Sequence, residues 1–218
     1  MRILVSLVLS LVLFAGTTRA EDPQALVDRS RISAENLLKD PNFAAAAARL
    51  KTARAVLIVP QLIKAGLIIG GEGGFGVLLV RQGQAGWSPP AFYTLAAASF
   101  GLQAGVEAKE VLFIINTDKG LNSLLKNKMK LGADASFSLG PVGAGVEASS
   151  TGSPASDIVA FSKSQGLFGG AALEGATIHP KEDLDHEYYG RTVTTRQIIA
   201  GEVGNPGADE LRRALAAY

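Results

Sequence analysis

The chain has 218 residues, 47% of them hydrophobic, with 25 glycines, no cysteine, and 21 basic against 20 acidic side chains, a formal charge of +1. That balance gives no net pull toward nucleic acid or an anionic surface, so any such attraction must come from a local patch. The lack of cysteine excludes disulfides, thiolate metal sites, cysteine nucleophiles and a lipidated N-terminal cysteine.

Residues 1–20 read as a secretory signal peptide. Arg2 is the positive start, Ile3 to Phe14 is apolar apart from two serines, and Thr18-Arg19-Ala20 offers a cleavage site before Glu21. The apolar run is short for a membrane span; the alternative is an uncleaved N-terminal anchor. Cleavage removes Arg2 and Arg19, leaving 19 basic against 20 acidic residues. Residues 21–218 are then expected as one domain, secreted or periplasmic and free of a lipid anchor.

Glu21 to Arg54 predicts helix, broken at Asp40-Pro41 with Asp40 as cap and Pro41 at the first helical position. The alanines Ala44 to Ala48 give a narrow face suited to close packing within the molecule. From Ala55 to His179 short β-rich runs alternate with glycines: 56–59, 66–69, 77–80, 111–115, 137–139 and 157–162. Between two of these runs lie Gly70, Gly71, Gly73, Gly74 and Gly76, which predict a hairpin turn or a close approach of two backbones. Trp87, the only tryptophan, follows in a Trp-Ser-Pro-Pro turn. Gly105-Val-Glu-Ala108 recurs as Gly145-Val-Glu-Ala148, a local similarity between two strands. Residues 120–129 predict one internal helix capped by Asn116 or Asp118. Beyond Pro180, Thr194 to Ile199 and Ala208 to Ala217 predict helices, the last with Leu211 and Leu215 on one side and Arg212 and Arg213 on another. The fold class is α+β: one domain, a mainly antiparallel glycine-rich sheet or barrel with N-terminal, internal and C-terminal helices.

The motifs give no catalytic set. Gly71-Glu-Gly73-Gly-Phe-Gly76 spells the dinucleotide fingerprint, but Val77 to Val80 reads as strand where a helix is required. Ser123-Leu-Leu-Lys126 lacks the companion motifs of the penicillin-recognising enzymes and reads as a helix face. His179 and His186, with Glu182, Asp183, Asp185 and Glu187, have no ligand spacing and read as a solvated acidic loop. No metal or cofactor is expected. Lys64, Arg81 and Lys163 are the cations next to glycine-rich turns, and backbone amides with Lys or Arg hold phosphate head groups; the alternative is three isolated solvated cations.

Several segments, in order, resemble the SYLF domain family. They are Pro60-x-x-x-Lys64-Ala-Gly66, the glycines Gly73, Gly74 and Gly76 before Val77, and Gly86-Trp87-Ser88-Pro89. Then come Gly140-Pro141-Val-Gly143, Ser162-Lys163-Ser164-x-Gly166-Leu-Phe168-x-Gly170 with Gly175 after it, Tyr189-Gly190, and Ile198-Ile-x-Gly201. The resemblance covers roughly residues 35–203. It implies binding of phospholipids, notably phosphoinositides, with no catalytic activity; bacterial members are exported envelope proteins. Yeast-type members also bind and bundle actin, a partner an exported chain does not meet. This sequence carries no SH3 or FYVE module beside the domain. Where the family often has a basic residue in the glycine cluster, this chain has Glu72.

Overall fold

The computed structural model describes residues 21–66, 69–83, 86–100, 105–143, 156–164, 173 and 175–218. The signal-like segment 1–20, the repeat at 145–148 and the motif positions Gly166, Phe168 and Gly170 lie outside the described residues.

The chain begins with α1 (Pro23–Lys39), started by Asp22, whose carboxylate accepts from the Ala25 N–H at 3.1 Å. Asp40 then caps a 3₁₀ turn at Pro41–Phe43, which leads into α2 (Ala44–Leu50). Four long strands follow: β1 (Ala55–Gly66), β2 (Ile69–Val80), β3 (Ala91–Phe100) and β4 (Gly105–Ile115). Next come α3 (Asp118–Leu124), β5 (Met129–Lys130), β6 (Phe137–Leu139), β7 (Ile158–Ser164) and β8 (Thr177–Pro180). The chain ends in α4 (Glu182–Tyr189), α5 (Thr195–Ile199) and α6 (Asp209–Ala216). The strands form one curled sheet in the order β5-β8-β3-β2-β1-β4-β7-β6, antiparallel except for β6 on β7. It is an α+β fold, and the sheet does not close into a barrel among the described residues.

Both faces of the sheet are covered over most of its area. On one face Val56, Ile58, Val77, Leu79, Leu112 and Ile114 pack against Leu26 and Leu37 of α1, Ala46 and Leu50 of α2, Leu184 of α4 and Leu211 of α6. On the other, Leu57, Leu78, Tyr93, Val111 and Phe113 pack with Leu124, Ile178 and Ile198. We refer to these as the helix-covered and inner faces. Burial on both sides is why these strands read as unbroken apolar runs rather than alternating ones. Within the alanine run Ala46 is fully buried and Ala45 and Ala47 pack against this core, while Ala44 and Ala48 are exposed.

The central strand β1 contains a bulge. Ile58 pairs with Val77 and Ile63 with Gly73 on β2, while Val59 pairs with Val111 and Leu62 with Lys109 on β4. One extra β1 residue is thus accommodated against both neighbours, at Pro60-Gln61. Proline has no N–H to give a ladder, so a bulge is where a central strand tolerates it. The bulge presses carbonyls toward β2. A Cβ on Gly74 would sit 2.5 Å from the Gln61 oxygen, and one on Gly76 would overlap the Ile58 oxygen.

Three expectations change, and one strand forms where no run was singled out. The glycine cluster is not a turn: Gly70 to Gly76 lie inside β2, and its glycines serve close backbone approach at Gly74 and Gly76. Residues 91–100, with their Leu-Ala-Ala-Ala stretch, form a full strand paired along β2. The acidic segment 182–189 is a helix, not a loop; its first-turn acids Glu182, Asp183 and Asp185 oppose the positive helix end. The cap of α3 is neither Asn116 nor Asp118 but Thr117, whose hydroxyl accepts from the Gly120 N–H at 3.1 Å and donates to Asp157 at 2.6 Å.

Gly76→Ala forces the bulge to shift and is expected to cost about 1–3 kcal/mol, as overpacking does. Gly71→Ala, whose Cβ would meet only the Ala97 oxygen at 3.8 Å, is expected to be neutral. Urea midpoints of the two variants check this; equal midpoints would show that β2 does not depend on contact with the bulge.

Candidate functional site

Beyond the bulge, β1 to β4 continue as a glycine-rich extension, and the charged groups of interest gather around its base. A groove of about 750 Å³ runs between α1 and the sheet. Arg29 and Asn36 of α1 form one wall, Pro60 and Gln61 the bend, and Val106, Glu110 and Lys163 of the sheet the other side. A second cavity of about 350 Å³, on the other side of the bulge, is lined by Glu21, Arg29, Ile63, Gly73 and Phe75 among others. Arg29 therefore borders both.

Of the three cations lining the groove, Lys109 is buried, while Arg29 and Lys163 are exposed and each is held by one carboxylate among the described residues. Lys163 reaches Asp40 at 2.8 Å, and Arg29 pairs with Glu21; their side chains are 42% and 44% exposed. The Lys163 hydrogen bond holds the Asp40 carboxyl below its ordinary range. Burial raises Glu110 despite help from Asn36 and Lys163. Exposed pairs of this kind contribute little and exchange partners easily.

The inner face carries a different cluster. Register places Lys64 opposite Glu72 on β2 and opposite Glu107 on β4. The Glu72 carboxylate is fully buried, with Lys109 Nζ at 2.8 Å and Lys64 Nζ at 4.0 Å. Neither Glu72 oxygen receives a hydrogen bond of good geometry among the described residues, so the contact is ionic. Alternation along Val-Glu-Ala-Lys-Glu-Val-Leu-Phe puts Lys109 on the face of Val111 and Phe113, a signal present in the sequence.

The three cations singled out from the sequence do not converge. Lys64 belongs to the inner cluster, and Lys163 lies in the groove on the helix-covered side. Arg81 sits at the opposite end of β2 in a structural role. Its guanidinium stacks on Trp87 at 4.3 Å and donates to the Leu50 and Ala53 carbonyls at 2.5 and 3.1 Å. Trp87 is buried there, and its carbonyl accepts from Arg212 at 2.8 Å. Arg29 and Lys109 went unnoticed because strand and helix periodicity assigns a face, not a neighbour across the fold.

The other motif positions lie in packing and turns. Ser88 accepts from the Val80 N–H and donates to the Pro89 carbonyl, both at 2.9 Å, and Tyr189 donates to Pro90 at 2.7 Å. Gly140, followed by buried Pro141, lies against the Phe161 ring where a Cβ would clash. Gly175, Gly190 and Gly201 have φ of 81°, 67° and 80°. Gly66 ends β1.

Among the described residues the enzyme-like motifs are not joined by further catalytic groups. Ser123 donates to the Asp134 carbonyl at 3.1 Å. His179 lies on β8 opposite Thr94, and His186 on α4 is 3.5 Å from Thr192. Among the described residues no three His, Cys, Asp or Glu side chains are grouped as for a metal ion. Asp185 is the strongly perturbed carboxyl in this region. Burial pushes it up from 3.8 to about 7, although its Oδ1 accepts from the Phe92 N–H at 3.0 Å.

The comparisons with known proteins agree on one family. Residues 96–218, more than half of the chain, match the family model described as Ysc84, Las17-binding protein actin regulator. The chain is 35% identical over 170 residues to Protein YSC84 of Saccharomyces cerevisiae, covering 76% of this chain and 36% of that one. It is 34% identical over 170 residues to LAS seventeen-binding protein 3 of the same species, covering 76% and 37%. It is 26% identical over 164 residues to human SH3 domain-containing YSC84-like protein 1, covering 74% and 48%. The chain thus spans less than half the length of these curated relatives.

Two outcomes follow for the buried charges. Lys109→Met leaves Glu72 buried without its close partner and is expected to cost about 3–5 kcal/mol, whereas Lys109→Met with Glu72→Gln recovers much of that loss. Urea denaturation of both variants tests it, and an equal loss in the double variant would contradict it. For Asp185, a folded pKa above the unfolded one means that the protonated form stabilises the fold. That contribution is full below about pH 4 and is lost as pH rises through 7, at up to about 1.4 kcal/mol per unit. Melting curves from pH 5 to 8 are expected to fall more steeply for the wild type than for Asp185→Asn; parallel curves would show that Asp185 is ionised throughout.

Proposed function

The chain belongs to the Ysc84, or SYLF, family, and on that premise we propose that it binds phospholipid at an envelope membrane surface and catalyses nothing. The observation that carries the reading is the groove beside the bulge. Its cations Arg29 and Lys163 are exposed and weakly engaged, and Pro60 and Val106 supply apolar surface between them. A phosphate head group can replace the Glu21 and Asp40 carboxylates there, since Arg and Lys hold phosphate as they hold carboxylate. Arg81 takes no part, because its donors are committed to the fold.

The signal-like segment 1–20 supports export, and a secreted or periplasmic location follows as part of the proposal. The family's description refers to Las17 and actin, and one yeast relative's name refers to Las17. The chain shares under half the length of those proteins, and an exported chain would meet neither partner. A protein-interaction module built on Ala44 to Ala48 has less support, since Ala46 is packed in the core.

Purified protein is expected to float with vesicles containing anionic phospholipid and to bind neutral vesicles more weakly, with salt reducing the difference. Each cation near an anionic surface is worth about 1 kcal/mol, so Arg29→Ala with Lys163→Ala should weaken binding roughly thirtyfold. Flotation of folded protein with neither vesicle would reject the reading.

A further inference from the structure

Beyond the bulge the sheet has its polarity reversed. Register aligns Ala96, Gly73, Ile63 and Ala108 in one row across β3, β2, β1 and β4. The next row along the strands, on the same face, is Ala98, Gly71, Ala65 and Val106. All eight positions are exposed, with Ile63 at 42% and Val106 at 77%, and none carries a charge or a hydrogen-bonding side chain. The row between them points to the inner face and contains Glu72, Lys64 and Glu107, with Glu72 fully buried. A sheet with one face in water normally directs charge outward and apolar groups inward. Charge inward and apolar groups outward is the pattern of a sheet that meets hydrocarbon.

We propose that these two rows are the surface that enters the acyl region of a phospholipid layer, an assignment that rests on the lipid reading above and gives it an orientation. The rows lie two residues apart, about 7 Å along the strands. That matches the 5–10 Å depth of interfacial contact rather than a span of about 30 Å. Arg29 and Lys163 border the uncovered area on the helix side, where a phosphate layer would lie once the rows are immersed. Within the two rows β1 and β2 are paired on both sides, as hydrocarbon requires of its backbone, whereas β3 beyond Ala96 and β4 before Lys109 are paired on one side only among the described residues, which confines the contact to the shallow interfacial depth. The chemistry favours lipid over a protein partner. The surface is glycine and alanine relieved only by Ile63 and Val106, without the Trp, Tyr or Arg anchors that concentrate energy in protein interfaces.

Because the chain has no cysteine, one introduced thiol reports one position. Val106→Cys and Glu202→Cys, the latter in the turn after α5 near Gln82 at the other end of β2, are labelled with a polarity-sensitive fluorophore. They are mixed with vesicles of equal parts phosphatidylglycerol and phosphatidylcholine. The Val106 label is expected to shift to the blue and to be quenched by lipids brominated on their acyl chains, while the Glu202 label does neither. Ile63→Glu and Val106→Glu should each reduce flotation about tenfold or more, with unfolding midpoints unchanged because both sites are exposed. If the wild type floats but the Val106 label stays in water and both glutamate variants float as well, the surface is misassigned and lipid binding stands. If the wild type floats with no vesicle, both proposals fall. A wild-type dimer in the ultracentrifuge that Val106→Glu converts to monomer, without vesicle quenching at Val106, would assign the rows to a second copy of the chain and overturn the inference.

Discussion

The organisation of this molecule depends on one backbone contact, the bulge at Pro60-Gln61 pressed against the bare backbone of Gly74 and Gly76. Proline in the central strand of an eight-stranded sheet removes a ladder donor and displaces the register against two neighbours at once. The displaced carbonyls need space, and only glycine on the facing strand leaves it. The glycines of β2 and the proline of β1 are therefore one feature written in two places. The same bend bounds two cavities and marks where the sheet passes from its covered body to the uncovered extension.

A strand made largely of glycine has a second difficulty. It has few side chains to set its register, and a one-residue slip would exchange its faces. Glu72 is the one charged side chain between Ile69 and Val80, and it is held between Lys64 and Lys109. A buried ion pair contributes little net stability against an apolar replacement, but breaking it by a slip leaves a charge unpaired. The inner cluster thus acts as a register pin for the glycine strand. The carboxylate faces inward and is neutralised there, so the acid in the glycine cluster adds no charge to the outer surface of the extension.

Parts of this were legible in the sequence, for physical reasons that differ by segment. The runs Val56 to Val59, Val77 to Val80 and Val111 to Ile115 announce strands because both their faces are buried. β3 was hidden because its alanines favour helix; they suit a strand here because Ala96 and Ala98 lie opposite Gly73 and Gly71. α4 carried a signal in Leu184 and Tyr188, four residues apart and both buried, which the surrounding acids obscured. The site itself was not legible. Lys64, Lys163 and Arg29 come from three elements, and the bulge changes which β1 residue meets which neighbour.

The fate of the three sequence-selected cations separates structural charge from available charge. Arg81 is closest to the tryptophan motif, yet its donors go to two backbone carbonyls and its planar face to an indole. Releasing it would leave buried carbonyls unpaired, a cost no surface phosphate repays. Lys64 shares a buried carboxylate, so engaging a ligand would strip a partner from Glu72. Lys163 and Arg29 hold half-buried carboxylates at the surface that water can reach when they are released. For the proposed phosphate contact, what matters is the state of the counterion after exchange, and by that measure the available cations lie on the helix-covered side, next to the uncharged rows.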